Sequence, residues 1–135
     1  MTEPDPLSGE LGDLNQYLRR QGLLVDTYFD FDRSSLSFEA REQLAKSAQF
    51  LQERPQFMVT LEGHCDERGT SEYNLALGER RARAARDYLV SLGVPASRLA
   101  TISYGEERPV CTEPEESCWW QNRRAHPVVT ARSDH

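Results

Sequence analysis

The chain has 135 residues, 38% of them apolar, with a formal net charge of −6 and a pI near 5.1. That length and composition fit one globular domain whose core buries about two-thirds of the unfolded surface. The acidic balance, without a helix-turn-helix or aromatic-stacking pattern, argues against a general nucleic-acid or anionic-membrane surface, and no apolar run approaches the ~18 residues of a membrane span.

The start, MTEPDPLSGELGD, is acidic and polar, unlike a secretory leader, so an exported protein would be met here in a mature or trimmed form. Residues 1–10 hold three acids and two prolines and read as a tether. Leu11, Leu14, Tyr17 and Leu18 form a helical stripe. A short helix is therefore expected over residues 10–20, stopped by Gly22 and packed on the domain as a lid. The division follows: residues 1–22 as tether and helix, 23–131 as the domain, 132–135 as a tail.

Residues 23–31, LLVDTYFDF, alternate Val25, Thr27, Phe29 and Phe31 with Leu24, Asp26, Tyr28 and Asp30, and predict the first strand. Leu36, Ala40, Leu44, Ala48 and Leu51 mark the buried stripe of a helix over residues 37–53, with Ser37 as N-cap and Pro55 as stop. Residues 56–62 predict a second strand. A long helix follows over residues 71–92, with Leu75, Ala82, Ala85, Leu89 and Leu92 on its core side, Gly93 as C-cap and Pro95 as block. Residues 95–98 make a helical turn and 99–104 a third strand. Residues 106–121 form a long loop, and 122–131 a fourth strand. This order predicts an α/β two-layer sandwich with a mixed four-stranded sheet. The first two crossovers should join parallel neighbours, and the last strand should return antiparallel. Pro127 cannot donate to a ladder and predicts an edge or a bulge.

Cys111 and Cys118 lie seven apart in a Glu-rich stretch with Pro114. A disulfide closing this small loop is expected, worth ~2 kcal/mol, and it would imply an oxidising compartment. The alternative is two reduced surface thiols. Cys65 is the odd cysteine.

The informative stretch is LEGHCDERGT, Leu61 to Thr70, with the helix after it. An apolar strand runs into a polar loop carrying Asp66 and Arg68. Asn74, Leu77 and Arg81 then recur on one helix face, placing a carboxylate and a guanidinium together at a strand end. Such a pair suits a ligand carrying both signs of charge. It would equally suit an ion pair that merely fixes loop to helix.

The run GHCDERGTSEYNLALGERRARA resembles the signature of the OmpA-like peptidoglycan-binding domain family. DERGT, EYN and LGERRA resemble its peptidoglycan-associated lipoprotein branch, over roughly residues 25–130. The resemblance implies a non-catalytic domain that binds the meso-diaminopimelate of a peptidoglycan stem peptide. Asp66 would take the ammonium and stem amides, and Arg81, on the rim, the carboxylate through its bidentate fork. Asp32 with Phe31 would add contacts, Leu77 and Arg68 would line the pocket, and Asn74 would brace the loop from the helix start. Gly69 would supply a conformation that glycine tolerates, and Arg124, in QNRRA, would bond loop carbonyls. The same resemblance implies a TolB-like periplasmic partner over an overlapping surface, a part in the Tol–Pal system and cell division, and a place at the periplasmic face of the outer membrane. The lipid anchor would lie outside this chain, since no cysteine precedes Cys65. A rival within the family is the wall-anchoring domain of a porin or motility stator.

An enzyme would need an acid–base pair from Asp32, Glu62, Asp66 and Glu67, whose separation the sequence does not fix. A zinc site from His64, Cys65, Cys111 and Cys118 has poor ligand spacing. No metal, cofactor or catalysis is expected.

Overall fold

The computed structural model describes residues 5–133. The elements run α1 (Leu11–Arg20), β1 (Thr27–Tyr28), α2 (Phe38–Glu53), β2 (Phe57–His64), α3 (Ser71–Ser91), a 3-10 turn (Ala96–Arg98), β3 (Leu99–Gly105), α4 (Glu116–Asn122) and β4 (Arg124–Arg132). They form the expected two-layer α/β arrangement over a mixed four-stranded sheet. Ser37 caps α2 by accepting from the Ala40 amide, and Thr70 caps α3 by accepting from the Tyr73 amide. These bonds satisfy donors that a helix start leaves unpaired.

The sheet order is β1-β4-β2-β3. β2 and β3 are parallel, as expected. β1 and β2 are not neighbours, because β4 lies between them, antiparallel to both. β4 pairs with β2 at seven positions and with β1 at two, so the central place goes to the strand that can fill a ladder on its inner edge. The expected nine-residue first strand shrinks to Thr27–Tyr28 for a related reason. Its start is drawn onto the end of α1, where the Leu23 and Leu24 amides donate to Leu18 O, and only its middle reaches β4.

Beyond β1 the outer edge of β4 has no strand partner among the described residues, and a helix side chain supplies one. Asn15 of α1 accepts from Val129 N at 2.8 Å and donates to Val129 O at 3.0 Å. Backbone groups two residues apart on a strand face the same side. Pro127 therefore turns its donor-less nitrogen to this open edge, and the bulge lies elsewhere, between Met58 and Val59. Leu14 and Leu18 of α1 are wholly buried in the main core. Residues 1–4 and 134–135, parts of the expected tether and tail, lie outside the described residues. At Leu7 and Ser8 the segment is bonded to the domain, Arg132 donating to both carbonyls.

Two further expectations are corrected. Leu75 and Leu92 are exposed, and the buried face of α3 is Asn74, Leu77, Gly78, Arg81, Ala82, Ala85 and Leu89. A glycine contact sets that rotation: a Cβ on Gly63 would stand 1.7 Å from Gly78 O, and one on Gly78 would stand 2.2 Å from Ser103 Oγ. Only paired glycines let α3 lie this close to β2. The long loop at residues 106–121 also contains α4. Trp119 and Trp120 therefore project about 100° apart and do not alternate as in an extended chain.

Candidate functional site

The contact between Gly63 and Gly78 holds the first half of α3 against the end of β2. There Asn74, Leu77 and Arg81 face the loop that follows His64. Phe31, Asp32, Asp66, Arg68, Asn74, Leu77 and Arg81 all line one cavity of about 350 Å³, with Cys65, Gly69 and Tyr73. A wider open groove of about 590 Å³ lies beside Tyr28 and Trp120. It too holds an arginine with acids, Arg19 with Asp26 and Glu39, but that arginine is exposed, whereas Asp66 and Arg81 of the smaller cavity are both buried, so the smaller cavity is the better candidate.

Asp66 is 4% exposed. Its Oδ1 accepts from the backbone N and Nε of Arg68, both at 3.1 Å, and its Oδ2 from Arg68 Nη2 at 2.7 Å. Arg123 Nη1 stands 3.5 Å from the same Oδ2. Burial pushes this carboxyl up, but the Arg68 hydrogen bonds and charge, with Arg123, outweigh it and hold the group below its ordinary value of 3.8. Asp66 is thus a fixed anion.

Arg81 was expected on the rim, yet it is 0% exposed. Its Nε donates to Arg33 O at 2.8 Å, Nη1 to His64 O at 3.0 Å and Nη2 to Asp30 O at 3.0 Å. Among the described residues no ion pair joins it to Asp66. Burial pulls the guanidinium below its ordinary value, although it stays charged. Three of its five N–H groups are bonded, which leaves one on each Nη. Arg81 therefore ties the β1 loop to the end of β2 and backs the cavity.

Asp32 adopts a left-handed φ of 57° and accepts from the Tyr73 hydroxyl. Aspartate is among the few residues that tolerate this region. Gly69 has φ 101°, as its expected role requires, and Asn74 Nδ2 braces the same loop by donating to Arg68 O at 3.0 Å. Cys65 is 3% exposed, its thiol donates to Asn74 O, and burial pushes it up to about 11. Such a thiol is no nucleophile at neutral pH.

Sequence reasoning missed the residues delivered by α4. Arg68 lies between the rings of Phe31, at 3.8 Å, and Trp119, at 3.9 Å. Trp119 Nε1 donates to Glu67 at 3.0 Å. Arg123 is 6% exposed, donates to Phe29 O and grips Glu116 at 2.7 and 3.3 Å. The signal was the Arg123-Arg124 pair at a strand start, where neighbouring side chains take opposite faces. Arg123 turns to Asp66 and Arg124 to Asp26, at 3.6 Å, with long bonds to Asn122 O and Arg108 O. The expected Cys111–Cys118 disulfide is present and Cys65 is free. The disulfide removes two of the four zinc ligands that the sequence offered, and the described residues hold no metal-binding cluster of acids, histidines and cysteines.

A family model described as the OmpA family matches residues 28–123. The chain is 57% identical over 102 residues to the peptidoglycan-associated lipoprotein of Brucella melitensis, covering 76% of this chain and 61% of that protein. It is 54% identical over 97 residues to the protein of that name in Pseudomonas aeruginosa, covering 72% and 57%. The chain thus spans about 61% of the length of its Brucella relative. The crystal structure of the peptidoglycan-associated lipoprotein from Burkholderia pseudomallei superposes with a TM-score of 0.79 at 41% identity, over 92% of this chain and 98% of that one. The C-terminal domain of Helicobacter pylori MotB, at 18% identity and a TM-score of 0.71, shares the fold. The chain belongs to the OmpA family, in its peptidoglycan-associated lipoprotein branch.

Proposed function

We propose that this domain binds peptidoglycan non-covalently, taking the meso-diaminopimelate of a stem peptide into the cavity at the end of β2. The observation that carries this reading is the convergence of a fixed anion and a buried arginine in one cavity, in a chain whose relatives are named for association with peptidoglycan. Asp66 and Asp32 face the ligand ammonium and stem amides, and Arg68, with Arg81 at the back of the cavity, meets its carboxylate. Leu77 and Phe31 give the methylenes an apolar wall. Asp66 is held ionised by its arginines, the opposite of what a general acid needs. That supports a binder over an enzyme.

The wider role follows the same proposal: the domain holds the outer membrane to the wall from the periplasmic side, through a lipid anchor outside this chain, within the Tol–Pal system and at division. Phe31 and Tyr73, exposed at the cavity mouth, offer a TolB-like protein a surface that overlaps the wall site. The two ligands would then exclude one another.

The test is co-sedimentation with sacculi. Native protein should pellet with meso-diaminopimelate sacculi and bind about tenfold more weakly to sacculi with lysine at that position, which lack the carboxylate and its charge-assisted bonds. Asp66→Ala, checked as folded by circular dichroism, should stay in solution. Equal pelleting with both sacculi would remove the chemical basis of the reading.

A further inference from the structure

The Arg68 guanidinium meets aromatic faces on both sides and the Asp66 carboxylate along its edge. A planar cation held on three sides cannot swing without losing all three contacts. Two of the groups around it come from one short element. Trp119 of α4 covers one face of Arg68 and bonds Glu67, the neighbour of Asp66. Glu116 of α4 grips Arg123, which reaches Asp66 Oδ2 beside Arg68. The loop carrying the anion is therefore clasped from outside the strand and helix that present it.

α4 has seven residues, too few to persist alone in water. Two features keep it in place. The Cys111–Cys118 bond pins its first turn to the preceding loop, with Cys118 itself 1% exposed. Asn122, at its last turn, accepts from the amides of Val110 and Cys111 and donates to Cys111 O.

We propose that Trp119, acting through Arg68, and Arg123, acting directly on Asp66, are positioning residues that hold Asp66 in its binding geometry for the wall ligand, and that the Cys111–Cys118 disulfide sets affinity by fixing α4. This rests on the wall-binding reading above. A ligand ammonium binds best to a carboxylate already oriented, because ordering the loop on binding would cost affinity. The disulfide thus acts at a site to which it contributes no contact.

The test is calorimetric titration of the intact domain with a soluble meso-diaminopimelate stem peptide, paired with an NMR measurement that needs no ligand. Trp119→Ala should weaken binding about tenfold, the scale of one partly desolvated cation–π contact, and Trp119→Phe should restore most of it. Trp120→Ala, on the same helix but packed edge-on against Tyr28, should bind as the native protein does. Cys111→Ala/Cys118→Ala should weaken binding, and adding Trp119→Ala should weaken it little more, since both act along one route. The Arg68 Nε–H resonance, which lies between two aromatic faces, should move toward the free value in the cysteine double variant, where both rings are still present. Equal loss from Trp119→Ala and Trp120→Ala, fully additive losses, or an unmoved Arg68 resonance would overturn the proposal. If the native protein binds no stem peptide, the wall-binding reading falls and takes the affinity claim with it. The Arg68 resonance then still decides whether α4 positions the loop.

Discussion

Buried charge in this protein is put to work on carbonyls. Arg81 joins the carbonyls of Asp30, Arg33 and His64, and Arg98 does the same for Leu51, Arg54 and Phe57 at the end of α2. His64 is the opposite case. It is 2% exposed, stacks on Tyr104, and neither ring nitrogen has a hydrogen-bond partner among the described residues. Glu62 stands 3.5 Å from Nε2, outside hydrogen-bond geometry but near enough to pair if the ring charges. Burial lowers the His64 pKa below its ordinary 6.5, and Arg124 and His126 add to the effect, against Glu62. The unfolded chain therefore takes up this proton first as pH falls. The contribution to stability is complete above pH 6.5 and is lost as pH drops through the folded value, at up to about 1.4 kcal/mol per pH unit, the limit for one proton. Asp66 and Glu62, both held below their ordinary values, extend the loss below about pH 4. Urea unfolding from pH 7 to 5 should show the first slope, and His64→Phe should flatten it. A native profile level over that range would contradict the assignment. At this scale the seven ligand-binding residues named from the sequence are among the ten that line the cavity. The sequence could not show that Arg81 is already bonded to three carbonyls, because carbonyl positions belong to the fold and carry no residue-type signal.

Elements carry the precision of the site, and the contact between α3 and β2 carries most of it. Gly63→Ala would place a methyl group 1.7 Å from Gly78 O. Backbone must move, so the loss should exceed the ~1–3 kcal/mol of ordinary overpacking, with weaker binding in any folded fraction. Gly12→Ala, where nothing lies within 4 Å, should be neutral or gain up to ~1 kcal/mol. Thermal melts of the two variants check both outcomes, and equal effects would mean the glycine contact does not set the packing. The length of α3 was legible from its caps and its period. Its rotation was not, because Leu75 and Leu92 outrank Asn74 and Arg81 on any scale of apolarity, while the glycine pair makes the choice. α4 was hidden for another reason. A seven-residue helix has too little period to read, and a crosslink and an asparagine hold it.

For the whole molecule, the open question in the sequence was which strands lie side by side. Four strands, two long helices and a mixed sheet follow from periodicity and connection lengths. The insertion of β4 between β1 and β2 does not, because it depends on a competition between ladders. α1 takes part in the result, its Asn15 standing where a longer β1 would have run. Leu14 and Leu18 join it to the main core, so α1 should unfold with the domain. Leu14→Ala should cost about 2–5 kcal/mol, a large share of the ~5–15 kcal/mol that holds a domain of this size. Chemical denaturation should show one transition shifted as a whole. A separate early transition, with the main one unmoved, would make α1 a detachable lid.

The burial of Cys65 reaches beyond the cavity that it lines. A small cavity of about 150 Å³ is lined by both Cys65 and Cys111, so the free thiol and the disulfide border one space. Exchange begins with a thiolate, and a thiol pushed up to about 11 is ionised at pH 7 in only about one molecule in ten thousand. The folded core therefore protects the crosslink from its own neighbour. Of the three ways to pair three cysteines, the native fold leaves one chemically silent sulfur and one lasting isomer.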